Sequence, residues 1–369
     1  MQVRFVDLSR QYAELREEII EVMDEISRGG WFILGPHGNE FEQRFAEYCG
    51  VKQAVAVGNG SDALHLSLLA LGIGPGDEVI TAPNSFIASA WAIARTGAKL
   101  VFCDVGEDLN LDPEKLAATV TERTRAVMPV HLTGRVARMD EIGEIARRHN
   151  LHVIEDAAQA VGASLGGRRA GSFGVAAGFS LHPLKNLFVH GDGGVITTGD
   201  ESLAAELRRF RNHGLKNRDE AAFWGVNSRL DEIQAAIGVL KLRRLEAWND
   251  RHRAIAARYS RELADVVRVP VDRADEVAVY HRYMIRTPER DALQQHLESC
   301  GVETKVNYPI PLHLQEAARP LGYGRGSFPV CEELAGTILS LPVHSHLTDD
   351  EVGHVIAGIR KFPFASRPN

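Results

Sequence analysis

Lys185 stands in apolar company, beside Leu184, Leu187, Phe188 and Val189, in a stretch that runs from Ser180 to the glycines at 191–194. An ammonium deprived of water is disfavoured, so its pKa falls and the neutral amine can attack carbonyl groups. Taken alone, such a lysine reads better as one whose stem lies along an apolar surface beside a turn. The segment before it decides the matter. Leu151-His152-Val153-Ile154-Glu155-Asp156 has the pattern of a short buried strand ending in acid, and Ala157-Ala158-Gln159 follows. An amine nucleophile with a carboxylate at a strand end is the pair that pyridoxal phosphate chemistry needs: the lysine for a Schiff base, and the anion to keep the pyridinium nitrogen protonated.

A third element fits the same ligand. The apolar run Ala54–Val57 meets Gly58-Asn59-Gly60-Ser61-Asp62 and then a helical pattern from Ala63 to Leu71. Glycines let backbone approach a ligand, and a helix start offers unpaired N–H groups and a positive dipole end. The stretch reads as a phosphate cup, with Ser61 and Asp62 also able to cap the helix. It has no Gly-Lys-Ser/Thr of a Walker motif and lacks the full dinucleotide glycine pattern.

Asp156–Gln159, then Phe179-Ser180 with His182 and Lys185-Asn186-Leu187, then Gly191-Asp192-Gly193-Gly194, resemble the DegT/DnrJ/EryC1/StrS sugar aminotransferases in this order. The likeness runs from Phe5 to the last helix. It implies a fold-type I α/β enzyme: a mainly parallel seven-stranded sheet with flanking helices over residues 1–245, and a smaller α+β domain over 246–369. It implies that Lys185 holds pyridoxal 5'-phosphate and carries the proton during amino transfer, with Asp156 at the ring nitrogen. Gly60, Ser61, Asp62 and Ser180 are expected around the cofactor, Phe86 stacked on its ring, and Gln159 against the ring or its phenolic oxygen. Asn227 is expected to reach the phosphate of a partner subunit, and Arg229 that neighbour's substrate, which makes the enzyme a homodimer with shared sites. Tyr308 and His313 belong to a substrate-side loop; by itself His313 reads as structural. The donor by analogy is L-glutamate and the acceptor a keto sugar on a nucleotide diphosphate, with C3 favoured over C4. Alternative readings are an inosose-type cyclitol as acceptor, a sugar dehydratase, which in this family carries histidine where Lys185 stands, and a binding or regulatory scaffold without catalysis.

The elements that must position these residues alternate along the chain. Helical spacing marks 9–28 and 39–49. Strand-like runs occur at 54–57, 78–82, 99–104, 125–130, 151–156, 175–179 and 194–198, with helical patterns between most of them. That rhythm predicts a mainly parallel, doubly wound sheet, whose ligands sit beyond the carboxyl ends of strands. Trp31–His37 reads as core, and by resemblance packs on a partner subunit. The basic segment Arg208–Arg218 reads as a solvated face or a site for an anion. Ser228 and Asp231 fit a capping box for the next helix. Beyond about residue 246 the pattern changes: a long charged helix at 243–263, one alternating strand at 277–286, and helices at 291–300, 332–338 and 349–359.

With 369 residues, 44% hydrophobic and 25% charged, the chain has the composition of a globular protein with a large core. Its net charge of −7 speaks against a nucleic-acid partner. Cys49, Cys103, Cys300 and Cys331 form no metal or CxxC pattern, so no metal is expected, and free thiols indicate a reducing, cytoplasmic setting. Neither a signal peptide nor a membrane-spanning run is expected.

Overall fold

The computed structural model describes residues 1–365. Its strands are β1 (Gln53–Val57), β2 (Glu78–Thr81), β3 (Lys99–Phe102), β4 (Thr124–Met128), β5 (His152–Asp156), β6 (Ser164–Leu165), β7 (Arg168–Arg169), β8 (Ala176–Ser180), β9 (Gly194–Thr198), β10 (Glu276–Val277), β11 (Tyr283–Arg286) and β12 (Ile338–Leu341). Seven of them form one sheet in the order β1-β9-β8-β5-β4-β2-β3. Neighbours from β8 through β3 pair in parallel, whereas β9 runs antiparallel to both β1 and β8. Central strands read as continuous apolar runs because both faces are covered. Val79, Ile80, Val127, Ile154 and Phe179 are buried in one large cluster with residues of the covering helices, among them Phe41, Phe45, Leu64 and Leu68.

The helices Leu8–Gly29 and Pro36–Cys49 end on left-handed glycines, Gly30 and Gly50, each donating its N–H back into the last turn. A second apolar cluster gathers Leu293, Leu297, Leu339, Leu341, Val352, Val355 and Ile359. The helix Leu245–Leu263 spans both clusters, with Leu245 in the first and Ile255, Tyr259 and Leu263 in the second. Val3, at the other end of the chain, also lies in the second cluster and bridges to Val302.

The alternating stretch 277–286 is not one strand. Glu276–Val277 pairs with β6 and Tyr283–Arg286 with β12. Between them Tyr280 has φ of 46°, and the backbone turns aside to donate Val279 N–H to Gly134 O and Arg282 N–H to Thr133 O. Burial is continuous from Ala278 through Ile285 across this crossing, so the sequence gives no mark of the break. Residues 301–308 form only isolated bridges, at Val302 and Lys305, and β12 forms at the end of the helix Pro329–Thr337.

Candidate active site

Asp156 closes β5, and alternation along that strand sends Glu155 and Asp156 to opposite faces. Glu155 is fully buried and accepts the N–H groups of Gly171, Phe173 and Gly174, each at 2.7 Å, while His131 Nε2 lies 2.9 Å away. Asp156 faces the cavity. Ser89 donates its hydroxyl to Asp156 Oδ2 at 2.6 Å, and Ala158 N–H reaches Oδ1 at 3.2 Å. The carboxylate is thus fixed at both oxygens from its protein side.

β8 lies beside β5, with Asp156 paired to Gly178, and ends at Ser180. Ser180 is itself paired with Gly194, the first residue of β9. The loop between them carries Lys185. It folds through Lys185 N–H to His182 O and Val189 N–H to Leu181 O. Its neck is gripped by Asn186, whose amide donates to Asn249 Oδ1 at 2.9 Å and Val279 O at 3.1 Å, with His281 Nδ1 3.2 Å from its carbonyl oxygen. Burial brings the Lys185 ammonium down to about 8; the Asp156 carboxylate opposes that shift and the Arg282 guanidinium adds to it.

Gly194 also pairs with Val57 at the end of β1, so the glycine cup adjoins the lysine loop. The helix Gly60–Ala70 starts there. Asp62 N–H is taken by the Asn59 side chain and Ala63 N–H by Asn59 O. The first N–H groups of a helix have no intrahelical partner, which leaves those of Gly60 and Ser61 toward the cavity. A Cβ on Gly60 would come within 2.7 Å of Ser180 Cβ, so only glycine lets these two backbones meet.

The cavity so formed measures about 310 Å³ and is lined by Gly60, Ser61, Phe86, Asp156, Gln159, Ser180, Lys185 and Tyr308 among others. Phe86 precedes the helix Ile87–Arg95, and its ring, 54% exposed, lies 5.8 Å from that of Tyr308. Gln159 is buried and accepts Thr133 N–H at 2.8 Å. Burial pushes the Tyr308 hydroxyl up to about 12, against the pull of Arg282.

Other expected site residues are placed elsewhere. His313 is 2% exposed, bonded to Glu332 at 3.0 Å and set edge-on against Phe328, so it faces the protein interior and does not line this cavity. Asp62 turns its carboxylate to Asn59 Nδ2 and the Ser228 hydroxyl and closes the cup from behind. Ser228 consequently does not cap the helix Glu232–Leu242. Its oxygen accepts Gly58 N–H at 2.9 Å and its hydroxyl donates to Asp62 at 2.6 Å; Asp231, at the N-cap, makes no side-chain cap bond. Asn227 is exposed and bridges to Asn212, whose side chain accepts from Arg229. In the basic segment, Arg208 and Arg211 bind Glu42 and backbone carbonyls of β1, which makes these two structural. Ser89 and Arg282 carry no local signal: Ser89 sits on a short apolar helix, and Arg282 lies within the stretch read as a strand; Asn186 stands in the lysine motif, which gives it no role of its own.

A glycine cradle that a methyl group would obstruct, two free N–H donors, a fixed carboxylate and a half-buried amine suit pyridoxal phosphate. Gly60 and Ser61 would take the phosphate, Asp156 the ring nitrogen, Lys185 the carbonyl carbon, and Phe86 one face of the ring. Among the described residues no cluster of metal-ligating side chains is present, and no helix is long and apolar enough to cross a membrane.

The model of the DegT/DnrJ/EryC1/StrS aminotransferase family matches residues 13–360. The chain is 46% identical to the pleiotropic regulatory protein of Geobacillus stearothermophilus over 98% of its own length and 99% of the relative. It is 44% identical to the dTDP-3-amino-3,4,6-trideoxy-alpha-D-glucose transaminase of Streptomyces venezuelae, covering 98% of this chain and 96% of that one. The crystal structure of S. venezuelae DesV in complex with a ketimine intermediate superposes with a TM-score of 0.95 at 43% identity, over 98% of each chain.

Proposed function

The chain belongs to the DegT/DnrJ/EryC1/StrS aminotransferase family, and from that premise we propose that it moves an amino group from L-glutamate to C3 of a keto sugar carried on a nucleotide diphosphate, in deoxyamino-sugar biosynthesis. Its cofactor is pyridoxal 5'-phosphate. The observation that carries the reading is the convergence of Lys185, Asp156 and the Gly60–Ser61 cup on one cavity. Preference for C3 rests on the Streptomyces relative, whose name places the amino group there.

Bound at this site, the cofactor supplies a carbonyl for amine exchange and an electron sink for the carbanion formed at the donor. The protein's own groups do the rest. Lys185, whose ammonium burial brings down to about 8, would serve as the base for the donor's α proton and as the acid that returns it. Asp156, held by Ser89 and Ala158, keeps one orientation toward the ring nitrogen. Gln159 and Tyr308 wall the cavity and restrict water.

The partner in this reading is a second copy of the chain. Trp31, Phe32 and Trp224 are exposed, Trp224 by 97%, and offer apolar contacts to such a copy. Asn227 and Arg229 lie on the same loop region as Trp224 and would serve the neighbour's site. The four cysteines are free, consistent with the cytoplasm as its place of action.

The test is the visible spectrum of the holoprotein. Addition of L-glutamate should bleach the cofactor band, and a nucleotide-linked 3-keto sugar should restore it. Lys185→Ala should show no such band and no turnover. An unchanged band in that variant would overturn the assignment, and a wild-type band that glutamate leaves intact would point to another donor or to dehydration.

A further inference from the structure

Among the described residues three arginines are almost fully buried: Arg135, Arg211 and Arg282, at 7%, 8% and 9% exposure. Two are neutralised. Arg135 pairs with Asp272 and with Glu276 at 2.8 Å, and Arg211 pairs with Glu42. Arg282 is different. Its Nη1 donates to the carbonyl of its neighbour His281 at 3.1 Å, its guanidinium carbon lies 5.0 Å from the centre of the Phe5 ring, and no ion pair joins it to a carboxylate among the described residues. A guanidinium taken out of water without an anion is costly. Burial pulls its pKa to about 10, which leaves it charged at neutral pH.

Its position says what the charge is for. Arg282 lines the catalytic cavity with Lys185, Asp156 and Tyr308, and it is close enough to Lys185 to disfavour the ammonium there. The two carboxylates of that cavity do not serve it. Asp156 is engaged by Ser89 and Ala158, and Asp192 is exposed.

We propose, building on the aminotransferase reading, that Arg282 binds the carboxylate of the amino donor and of the 2-oxo acid it becomes, and so aims the donor's α carbon at Lys185. A guanidinium presents two parallel N–H donors that match the two oxygens of a carboxylate. Reach favours the donor over the sugar's phosphates. The α-carboxylate is one bond from the reacting carbon, whereas the first phosphorus of a nucleotide sugar is separated from C3 by C2, the anomeric carbon and an oxygen. A carboxylate at C6 of a uronic keto sugar shares the same chemistry and is distinguished below.

The experiment compares wild type, Arg282→Gln and Arg282→Lys as holoproteins of matched cofactor content. Two quantities are read: the affinity for glutarate, an unreactive dicarboxylate, by calorimetry, and the glutamate concentration that half-saturates bleaching in a single half-reaction. In Arg282→Gln both should weaken at least tenfold, and Arg282→Lys should recover part of the loss. Half-saturation by the amino-sugar product in the reverse half-reaction should stay within about twofold. Unchanged glutarate and glutamate binding in Arg282→Gln overturns the proposal. So does a loss confined to a uronate sugar, which would give the guanidinium to the acceptor. If wild type binds glutarate through Arg282 yet glutamate never bleaches it, the carboxylate site stands and the glutamate donor falls.

Discussion

The hydroxyl of Ser89 lies 2.6 Å from Oδ2 of Asp156. Ser89 comes from the helix that Phe86 opens, so the group expected to flank the cofactor ring and the group that orients its nitrogen partner are set by one short element. A hydrogen bond to an ionised group contributes about 1.5–3 kcal/mol. Ser89→Ala should lower the rate of the glutamate half-reaction by roughly ten- to a hundredfold, with circular dichroism unchanged. A rate within a factor of two of wild type would mean that Asp156 needs no such support.

Gly60→Ala should act through the cofactor. The added methyl group would meet Ser180 Cβ at 2.7 Å and Cα at 3.0 Å, both on a central strand that cannot yield. We expect pyridoxal phosphate to bind at least about tenfold more weakly, the equivalent of about 1.4 kcal/mol, measured by equilibrium dialysis. Wild-type affinity would show that the cup opens without cost and that the phosphate sits elsewhere.

Ser228→Ala separates two roles. If Ser228 served the helix Glu232–Leu242 as a cap, its loss would lower stability and spare the cofactor. Here it joins Gly58 to Asp62, so cofactor affinity should fall several-fold while the helix persists. Stability loss with unchanged affinity for pyridoxal phosphate would restore the capping role.

Lys241 gives a prediction in pH. It is fully buried, its amine finds no hydrogen-bond partner among the described residues, and it rests 3.0 Å from the centre of the Phe188 ring. Burial alone brings its ammonium from 10.5 down to about 6. Between those values the unfolded chain holds a proton that the folded one has lost, so this residue makes stability rise with pH across that window. Lys241→Met removes the term. It should stabilise the protein by up to about 5 kcal/mol near pH 7, and the gain should shrink toward pH 10. Urea midpoints at pH 7, 8.5 and 10, at one protein concentration, check this; a gain independent of pH would assign the effect to packing.

The sequence carried the sheet and the meeting of Lys185, Asp156 and the Gly60–Ser61 helix start at one cavity, because buried strands, glycine turns and helix starts leave local marks. What it did not carry depends on partners far along the chain. Ser89 has meaning only once Asp156 is beside it. Ser228 looked like a cap because its spacing to Asp231 is right, and only the fold brings Asp62 within reach. Residues 277–286 read as one strand, yet the backbone turns at Tyr280. His313 stood in a motif that resembles a substrate loop, yet Glu332 and Phe328 hold it inward.

Lys185 hangs from a closed ring of chain, since Ser180 and Gly194 at its two feet are a ladder pair and Gly194 is in turn laddered to Val57. Side chains on a strand alternate, so a slip of one residue between those feet would turn every neighbour to the opposite face. The amine is therefore indexed to the sheet as a tooth is to a gear. Changes in loop length between the feet should alter how far the lysine reaches, while a single-residue insertion within either strand should misplace the lysine and silence the enzyme.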